Sequence, residues 1–551
     1  MLLIRDIRLR PGESEARLPL LAAKALGLAP ERVKSWRIVK KSLDARRKGD
    51  IHWTYSLAVE AAGDAGALLR RCPQAERREP YRYEIPRVRV LPETRPVIAG
   101  FGPGGMFAAL VLAEAGLRPI VLERGGDADT RKAAVERFWQ TGELTENCSV
   151  QFGEGGAGTF SDGKLATNTH DPRNAWVLER LRDFGAGESV VYDARPHVGT
   201  DVLAGVVKNL RRHVESLGGE VRFFTRMTGF ERRGNALSAV LAEGPAGLER
   251  LACRELVLAT GHSARDVFEL LLREGVPLEA KPFSMGVRIE HRQTWIDRAQ
   301  YGRDRGPLPP AEYRLNVRLP GGGSAYTFCM CPGGYVVAAA SEAEGVVTNG
   351  MSYSGRAGEN ANAALLVTLA PSDFPGNGGP LDGMYWQREI ERACYAYGGG
   401  NCFAPAQTVG DFLAGRKSRR GGAVAPSYRP GVVWGELREV LPEPISGVLA
   451  ASLPLLGRKL RGFDHPEAVL TAPETRSSSP VRILRDGSMQ SALRGLYPCG
   501  EGAGYAGGIT SAAADGMRCA EAVLKGYAEI DKVIKVREEI TVRYGEQLGS
   551  L

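Results

Sequence analysis

Gly100, Gly102 and Gly105 follow the apolar run Val97–Ala99 as G-x-G-x-x-G, and Glu123 comes 18 residues after the last glycine. Each has a physical task. Gly100 permits a tight turn, Gly102 lets a pyrophosphate approach the backbone, and Gly105 lets a helix pack closely on the strand. The helix that opens at Pro103-Gly104 offers unpaired N–H groups and a positive dipole end to phosphate. Glu123, at the end of the next apolar run, is spaced to accept ribose hydroxyls, which argues against a 2′-phosphate there. The whole stretch Pro96–Gly126 predicts a dinucleotide-binding strand–helix–strand unit.

Three other stretches carry residues suited to the same chemistry. Asn147–Leu165 holds Gly153, Gly155, Gly156, Gly158 and Gly163, too many glycines for a regular element, and its amides could cradle phosphate or flank a flat ring. Lys164 is the cation of that loop. An apolar strand, Leu256–Leu258, leads into Ala259-Thr260-Gly261-His262, with His262 a candidate general acid or base. Leu496–Val523 reads as a strand, a glycine-rich turn and a helix of small residues. In it Gly500 and Glu501 lie at the turn, and Gly508-Ile509 open a helix whose amides would stabilise negative charge.

Further polar groups stand in the middle of the chain. Asn349, Ser352 and Arg356 could line a substrate pocket, Arg356 binding a carboxylate or phosphate. Arg476 with Ser477-Ser478-Ser479 is a similar patch. Cys329-Met330-Cys331 invites a redox role, but two cysteines at this spacing on a flat strand strain a disulfide, so buried core thiols are expected. Cys499 is read as packing, and His197 and His465 have no assignable partner. The spacing of the nine cysteines matches neither a metal site nor a disulfide framework, and a cytoplasmic location is expected.

The elements that would position these groups are legible in outline. Leu2–Leu9 alternates like a strand, Glu15–Leu26 has helical spacing, and Val33–Lys40 and Ile51–Glu60 read as strands. The basic run from Lys40 to Lys48 falls between the last two as an exposed loop. It is read as solvated or docked on the main body, with an acidic partner or RNA as the alternative. Residues 1–89 carry 20 Lys/Arg against 11 Asp/Glu, and the rest 52 against 53, so the net charge of +8 belongs to the N-terminal segment. Residues 228–253 alternate as a meander, and strands are expected at Phe283–Glu290, Ala325–Cys331 and Tyr335–Ala340. A polar helix is expected from about residue 527. The 551 residues predict two or three domains, and no stretch reads as a secretory signal or a membrane span.

These motifs resemble a bacterial family of uncharacterised NAD(FAD)-utilising dehydrogenases, or FAD-dependent proteins. The resemblance rests on GFGPGG at 100–105, FGEGGAGTFSDGKL at 152–165, PHVGTD at 196–201, FCMCPGGYVV at 328–337, NGMSYSGR at 349–356, ETRSSSPVRI at 474–483 and GEGAGYAGGI at 500–509. It implies an α/β fold: a glutathione-reductase-like FAD-binding Rossmann domain, an inserted mixed α+β substrate domain and a small N-terminal α/β module. The expected divisions are a basic module at 1–72, a linker at 73–92, the FAD domain at 93–280 and 481–551, and the substrate domain at 281–480.

On this reading FAD is held by Gly100, Gly102, Pro103, Gly104, Gly105, Glu123, Arg124, Gly155, Gly156, Lys164, Leu165, Thr260, Gly261, Gly500, Glu501, Gly508 and Ile509. Lys164, His262 and Arg356 are the candidates for catalysis. The expected function is hydride transfer between FAD and a small organic substrate. A flavoprotein monooxygenase, a flavin-dependent RNA-modifying enzyme and a non-catalytic flavin-binding protein are the alternatives. No second G-x-G-x-x-G follows a strand, so NADH or NADPH would act only as a transient donor without a domain of its own.

Overall fold

The computed structural model describes residues 1–79, 82–88 and 91–527. At the N-terminus a four-stranded antiparallel sheet runs in the order Val33–Asp44, His52–Ala61, Leu2–Leu9, Ala75–Arg77. Alternating residues of its inner strands (Leu2, Ile4, Tyr55, Leu57, Val59) meet Leu18, Ala22 and Leu26 of the Leu18–Leu26 helix in a small core. That helix stops at Gly27, whose left-handed backbone closes the last turn.

Two expectations change here. The basic run does not begin a loop at Lys40: the strand continues to Asp44, and only the residues after it turn back. Lys41 reaches out of the sheet, its N–H donating to the Tyr192 carbonyl at 2.8 Å and its ammonium to Glu15 at 2.7 Å. Lys48 donates to the Ala299 carbonyl at 2.9 Å. Part of the charge is therefore spent on contacts within the chain. The start of the expected linker is also structured, because Ala75–Arg77 pairs along Leu2–Ile4.

The central sheet is wholly parallel, in the order Leu496–Pro498, Leu256–Leu258, Val97–Ala99, Ile120–Leu122, Glu220–Arg222. Its strands are short, and the inner three are apolar throughout because both faces are covered, one by helices and the other by a three-stranded meander with the helix Arg265–Arg273. The helix Pro103–Glu114 lies buried against Ile509–Lys525, both built from small residues. A three-stranded meander (Arg226–Arg233, Ala236–Gly244, Gly247–Ala252) follows the last strand of this unit, as the alternation predicts.

A mixed seven-stranded sheet occupies the middle of the chain, ordered Asn316–Arg318, Ser324–Cys331, Asn360–Leu369, Phe283–Arg292, Val469–Glu474, Ala404–Thr408, Val432–Trp434. The pairing is antiparallel except at its last edge, where Ala404–Thr408 and Val432–Trp434 run parallel. Tyr335–Ala338, shorter than expected, instead forms a hairpin with Thr348–Met351. The helices Asp382–Tyr397 and Glu443–Lys459 bury Trp386, Ile390, Leu449 and Leu453 in the core of this region. The fold is thus mixed α/β. Among the described residues no helix is long and apolar enough to cross a membrane. The helix expected from residue 527 lies outside the described residues.

Gly105 shows how tightly the glycine motif is constrained. A Cβ there would run into the Gly100 carbonyl oxygen and lean on Ile98. Gly105→Ala is expected to destabilise the protein by about 1–3 kcal/mol or more, the usual cost of overpacking. A thermal or urea midpoint equal to that of the unmodified protein would contradict this.

Candidate functional site

The C-terminal ends of the parallel strands open onto a cavity of about 560 Å³, within the roughly 300–1,000 Å³ common for ligand pockets. The central strand turns at Gly100 and enters the first helix at Gly102, and the strand Leu496–Pro498 reaches the Ile509–Lys525 helix through the 500–508 turn. Neither Gly102 nor Gly508 carries a side chain that could cap its helix, so the first-turn N–H groups of both face the same space. A Cβ on Gly102 would meet only Gly156 at 3.6 Å, and around Gly261 and Gly507 there is open room.

Of the residues expected to bind a cofactor, Gly100, Gly102, Pro103, Gly104, Glu123, Arg124, Gly156, Lys164, Thr260, Gly261, Gly500, Glu501, Gly508 and Ile509 line this cavity. Gly105, Gly155 and Leu165 stand behind its wall. Gly105 is pressed on Gly100, and Gly155 has Thr159 and Val207 against it. Leu165 has its side chain in the core and receives a 2.6 Å hydrogen bond from Thr510 on its carbonyl.

Glu123 has a structural role that the sequence reading did not foresee. Its buried carboxylate accepts N–H groups from Phe101 (2.8 Å), Gly125 (2.9 Å) and Gly153 (2.9 Å), so most of its accepting capacity is spent on the chain itself. Arg124 is ion-paired with Asp266 at 2.9 Å, its guanidinium 4.3 Å from the Phe152 ring centre.

The catalytic candidates separate. Lys164 lies on the cavity wall, donating to the Met330 carbonyl, 3.7 Å from Asp162 and 4.0 Å from Glu312. Arg356 does not reach the cavity. Its guanidinium bridges Asp162 and Glu312, 2.6 Å from each, so it neutralises two carboxylates where a substrate anion had been expected. Ser352 is likewise turned inward onto Asp162. Asn349, Arg476 and Ser477 do line the cavity. His197 joins the Asp162 group at 3.8 Å, whereas His465 stacks on Trp295, with ring centres 4.2 Å apart.

His262 faces the cavity with a buried Nε2 that has no protein partner, and its Nδ1 lies 3.9 Å from Glu501. Burial, then the positive charges of Arg476 and Arg265, lowers His262 to about 3, so the ring is neutral near pH 7. Burial moves Glu501 the other way, to about 7, with Lys281 opposing and Cys329 adding to the rise. The two arginines beside His262 are both clamped by Glu391, at 2.9 Å from Arg265 and 2.8 Å from Arg476. Burial alone would raise Glu391; Arg265 and Arg476 instead hold it well below the ordinary carboxylate range.

Cys329 is not the buried core thiol expected. It lines the cavity with a left-handed backbone (φ 43°), at an irregularity of the sheet between Phe328 and Cys331. Sequence reading also missed Arg288, which lies fully buried in an apolar strand. It is paired with Glu474 at 2.9 Å and donates to the Cys329 carbonyl at 3.0 Å. The signal available was a charge pattern, Arg288 and Glu290, inside FSMGVRIE. Among the described residues Cys499, Asp515 and Cys519 lie close enough to suggest a metal site, but Arg485 holds the Asp515 carboxylate at 2.7 Å and the Gly500 N–H occupies it at 2.8 Å. That group is a buried ion pair with packed thiols.

Residues 282–477 match the family described as FAD-dependent protein, C-terminal domain-like, and residues 1–60 match a domain of unknown function. A protein of Clostridium beijerinckii, itself uncharacterised, is 45% identical over 513 residues, which is 92% of this chain and 95% of that one. Similar solved structures include the flavin-dependent brominase Bmp2 (13% identity, 80% of this chain and 81% of that one, TM-score 0.37). Another is a geranylgeranyl bacteriochlorophyll reductase-like protein from Thermoplasma acidophilum (11% identity, 78% and 79%, TM-score 0.36). Likenesses this loose carry nothing about reaction or substrate.

The raised Glu501 makes a signed prediction. Its folded value lies above the unfolded one, so the folded chain keeps a proton that the unfolded chain releases between about pH 4.5 and 7. The associated stability is complete at the acidic end of that window and is lost as pH rises through 7. Glu501→Gln should therefore gain on the unmodified protein, in thermal midpoint of the ligand-free form, as pH goes from 4.5 to 8. A difference that stays flat with pH would show that Glu501 titrates normally.

Proposed function

The chain belongs to the family of the Clostridium beijerinckii protein and its residues 282–477 match the FAD-dependent protein, C-terminal domain-like family, and from that premise we propose a FAD-dependent oxidoreductase with its flavin in the cavity described above. The observation that carries the reading is the convergence of two uncapped helix N-termini, flanked by glycines open to the same space. A diphosphate is matched by the amides that follow Gly102, and the electron-rich end of a flavin by those at Gly508-Ile509. Gly156, Thr260, Gly261 and Gly500 would border the rest of the cofactor. Glu123 would meet the ribose only with the accepting capacity left after its three amides. Bound FAD supplies the capacity to take up and release a hydride.

The chain's own residues supply position and protons. His262 offers an unpartnered nitrogen that stays neutral, and Glu501 holds a proton up to about pH 7. They form a donor and acceptor pair suited to neutral pH. Asn349, Arg476 and Ser477 border the part of the cavity contributed by residues 281–480, where an organic substrate would enter. The wider assignment follows from this: a glutathione-reductase-like cofactor body at 93–280 and 481–551, a substrate body at 281–480 and an accessory module at 1–72. Nine free cysteines, eight of them buried, suit a reducing cytoplasm.

The test begins with flavin released from the purified protein. FAD is expected; a chain that neither contains FAD nor binds it when added would overturn the reading. Anaerobic NADH or NADPH then decides the donor, since bleaching of the flavin absorbance shows that a nicotinamide reaches it. Readmitted oxygen separates a reductase from a monooxygenase. Gly102→Ala keeps an ordinary backbone (φ −79°) but puts a methyl group where the diphosphate approaches. It is expected to fold normally and to weaken FAD binding at least about tenfold, or ~1.4 kcal/mol, measured by flavin fluorescence.

A further inference from the structure

We propose that Cys329 and Cys331 are a redox-active dithiol that exchanges an electron pair with FAD across the cavity, an inference that rests on the cofactor reading above. Its basis is a β-bulge. Phe328 pairs with Ala364 and Cys331 with Asn362, so one extra residue is accommodated on the cysteine strand. Such bulges re-aim side chains. On a flat strand the two thiols would stand apart on one face. Here Cys329 turns to the cavity with its left-handed backbone while Cys331 stays fully buried behind it. The Cys331 sulfur lies 3.2 Å from the Cys329 carbonyl oxygen.

The surroundings favour a thiolate on the outer residue. Cys329 is held below an ordinary thiol by the hydrogen bond from Cys331, against burial, with Arg288 and Lys164 adding positive charge and Asp162 opposing. Cys331, the buried partner, is raised and keeps its proton. Glu474 and Glu501 also face the Cys329 sulfur electrostatically, and Glu501 belongs to the glycine turn on which the flavin is proposed to rest. An outer thiolate next to an inner thiol is the arrangement that dithiol exchange uses.

The step balances as follows. The Cys329 thiolate and the Cys331 thiol form one S–S bond, giving up two electrons and the Cys331 proton. Oxidised FAD takes both electrons and that proton and becomes the anionic reduced flavin. The reverse direction reopens the disulfide.

The test uses the air-oxidised protein with its flavin bound. Anaerobic titration with dithionite is expected to consume about four electrons per FAD, the flavin and the disulfide each being a two-electron couple. Alkylation and mass spectrometry should show both thiols of the Cys329–Cys331 peptide appearing during that titration. Cys331→Ser and Cys329→Ser should each take up about two electrons. In Cys331→Ser the unpaired Cys329 thiolate should add a broad long-wavelength absorbance to the oxidised flavin. FAD present, with about two electrons consumed by the unmodified protein and both cysteines alkylated from the start, would overturn the dithiol and leave the cofactor reading standing. Absence of FAD would overturn both.

Discussion

One buried carboxylate ties the site together. Glu123 gathers the N–H groups of Phe101, Gly125 and Gly153, which belong to the glycine motif, the end of the second parallel strand and the following glycine-rich loop. A carboxylate in that position accepts charge-assisted hydrogen bonds that are stronger than neutral ones. It also satisfies amides that would otherwise be buried without partners. Three loops with little side-chain bulk are thereby fixed against one another, and fixed glycine backbone is what leaves a smooth cavity floor. By anchoring the turn before it, Glu123 helps hold the helix N-terminus toward the cavity.

The opposite wall is held by buried charge. Glu391 clamps Arg265 and Arg476, Glu474 holds Arg288, and Asp162 with Glu312 holds Arg356 and approaches Lys164. Breaking such a pair by removing one partner costs more than the pair contributes, since the remaining charge is left in a poor dielectric. These clusters therefore act as positional constraints more than as sources of stability. They join distant segments: Arg265 follows the Ala-Thr-Gly edge, Glu391 lies in the helix Asp382–Tyr397, and Arg476 follows the strand Val469–Glu474. The parallel sheet and the seven-stranded sheet are locked to each other by the same three side chains. Arg476 and Arg265 add to burial, the larger cause, in keeping His262 neutral.

Much of this was legible in the sequence because it depends on local chemistry. A glycine can be required by its own turn or by a helix packed upon it, as at Gly100 and Gly105, and apolar runs of three residues between such turns read as buried parallel strands. The seven-stranded sheet was legible only in pieces, because its order joins residues far apart: Phe283–Arg292 lies between Asn360–Leu369 and Val469–Glu474. Arg356 was misread for a related reason. A guanidinium in a glycine- and serine-rich segment looks available, and only the fold shows that Asp162 and Glu312 converge on it. Glu123 was legible as the acid that ends the second strand, but not the amides it accepts, which come from residues as distant as Gly153.

Cys329 marks the limit of pattern reading most clearly. Strand periodicity assigns both thiols of a C-x-C pair to one face, and that inference fails where an extra residue interrupts the register. The bulge is set by the pairing with Asn360–Leu369, and no feature of FCMCPGG alone specifies it. Once the register shifts, Cys329 turns toward Glu501 and Lys164 while Arg288 takes hold of its carbonyl. A neutral imidazole, a carboxylic acid raised to about 7 and a thiol held low then border one cavity. Burial alone would push a carboxylic acid and a thiol the same way, toward their neutral forms. The low Cys329 thiol therefore requires a specific neighbour that the fold supplies, the Cys331 thiol, whereas burial itself already favours the neutral histidine and Arg476 and Arg265 add to it. Because Arg476 and the two cysteines come from the middle region while Arg265, His262 and Glu501 follow strands of the parallel sheet, the reactive character of the cavity arises where the two sheets meet.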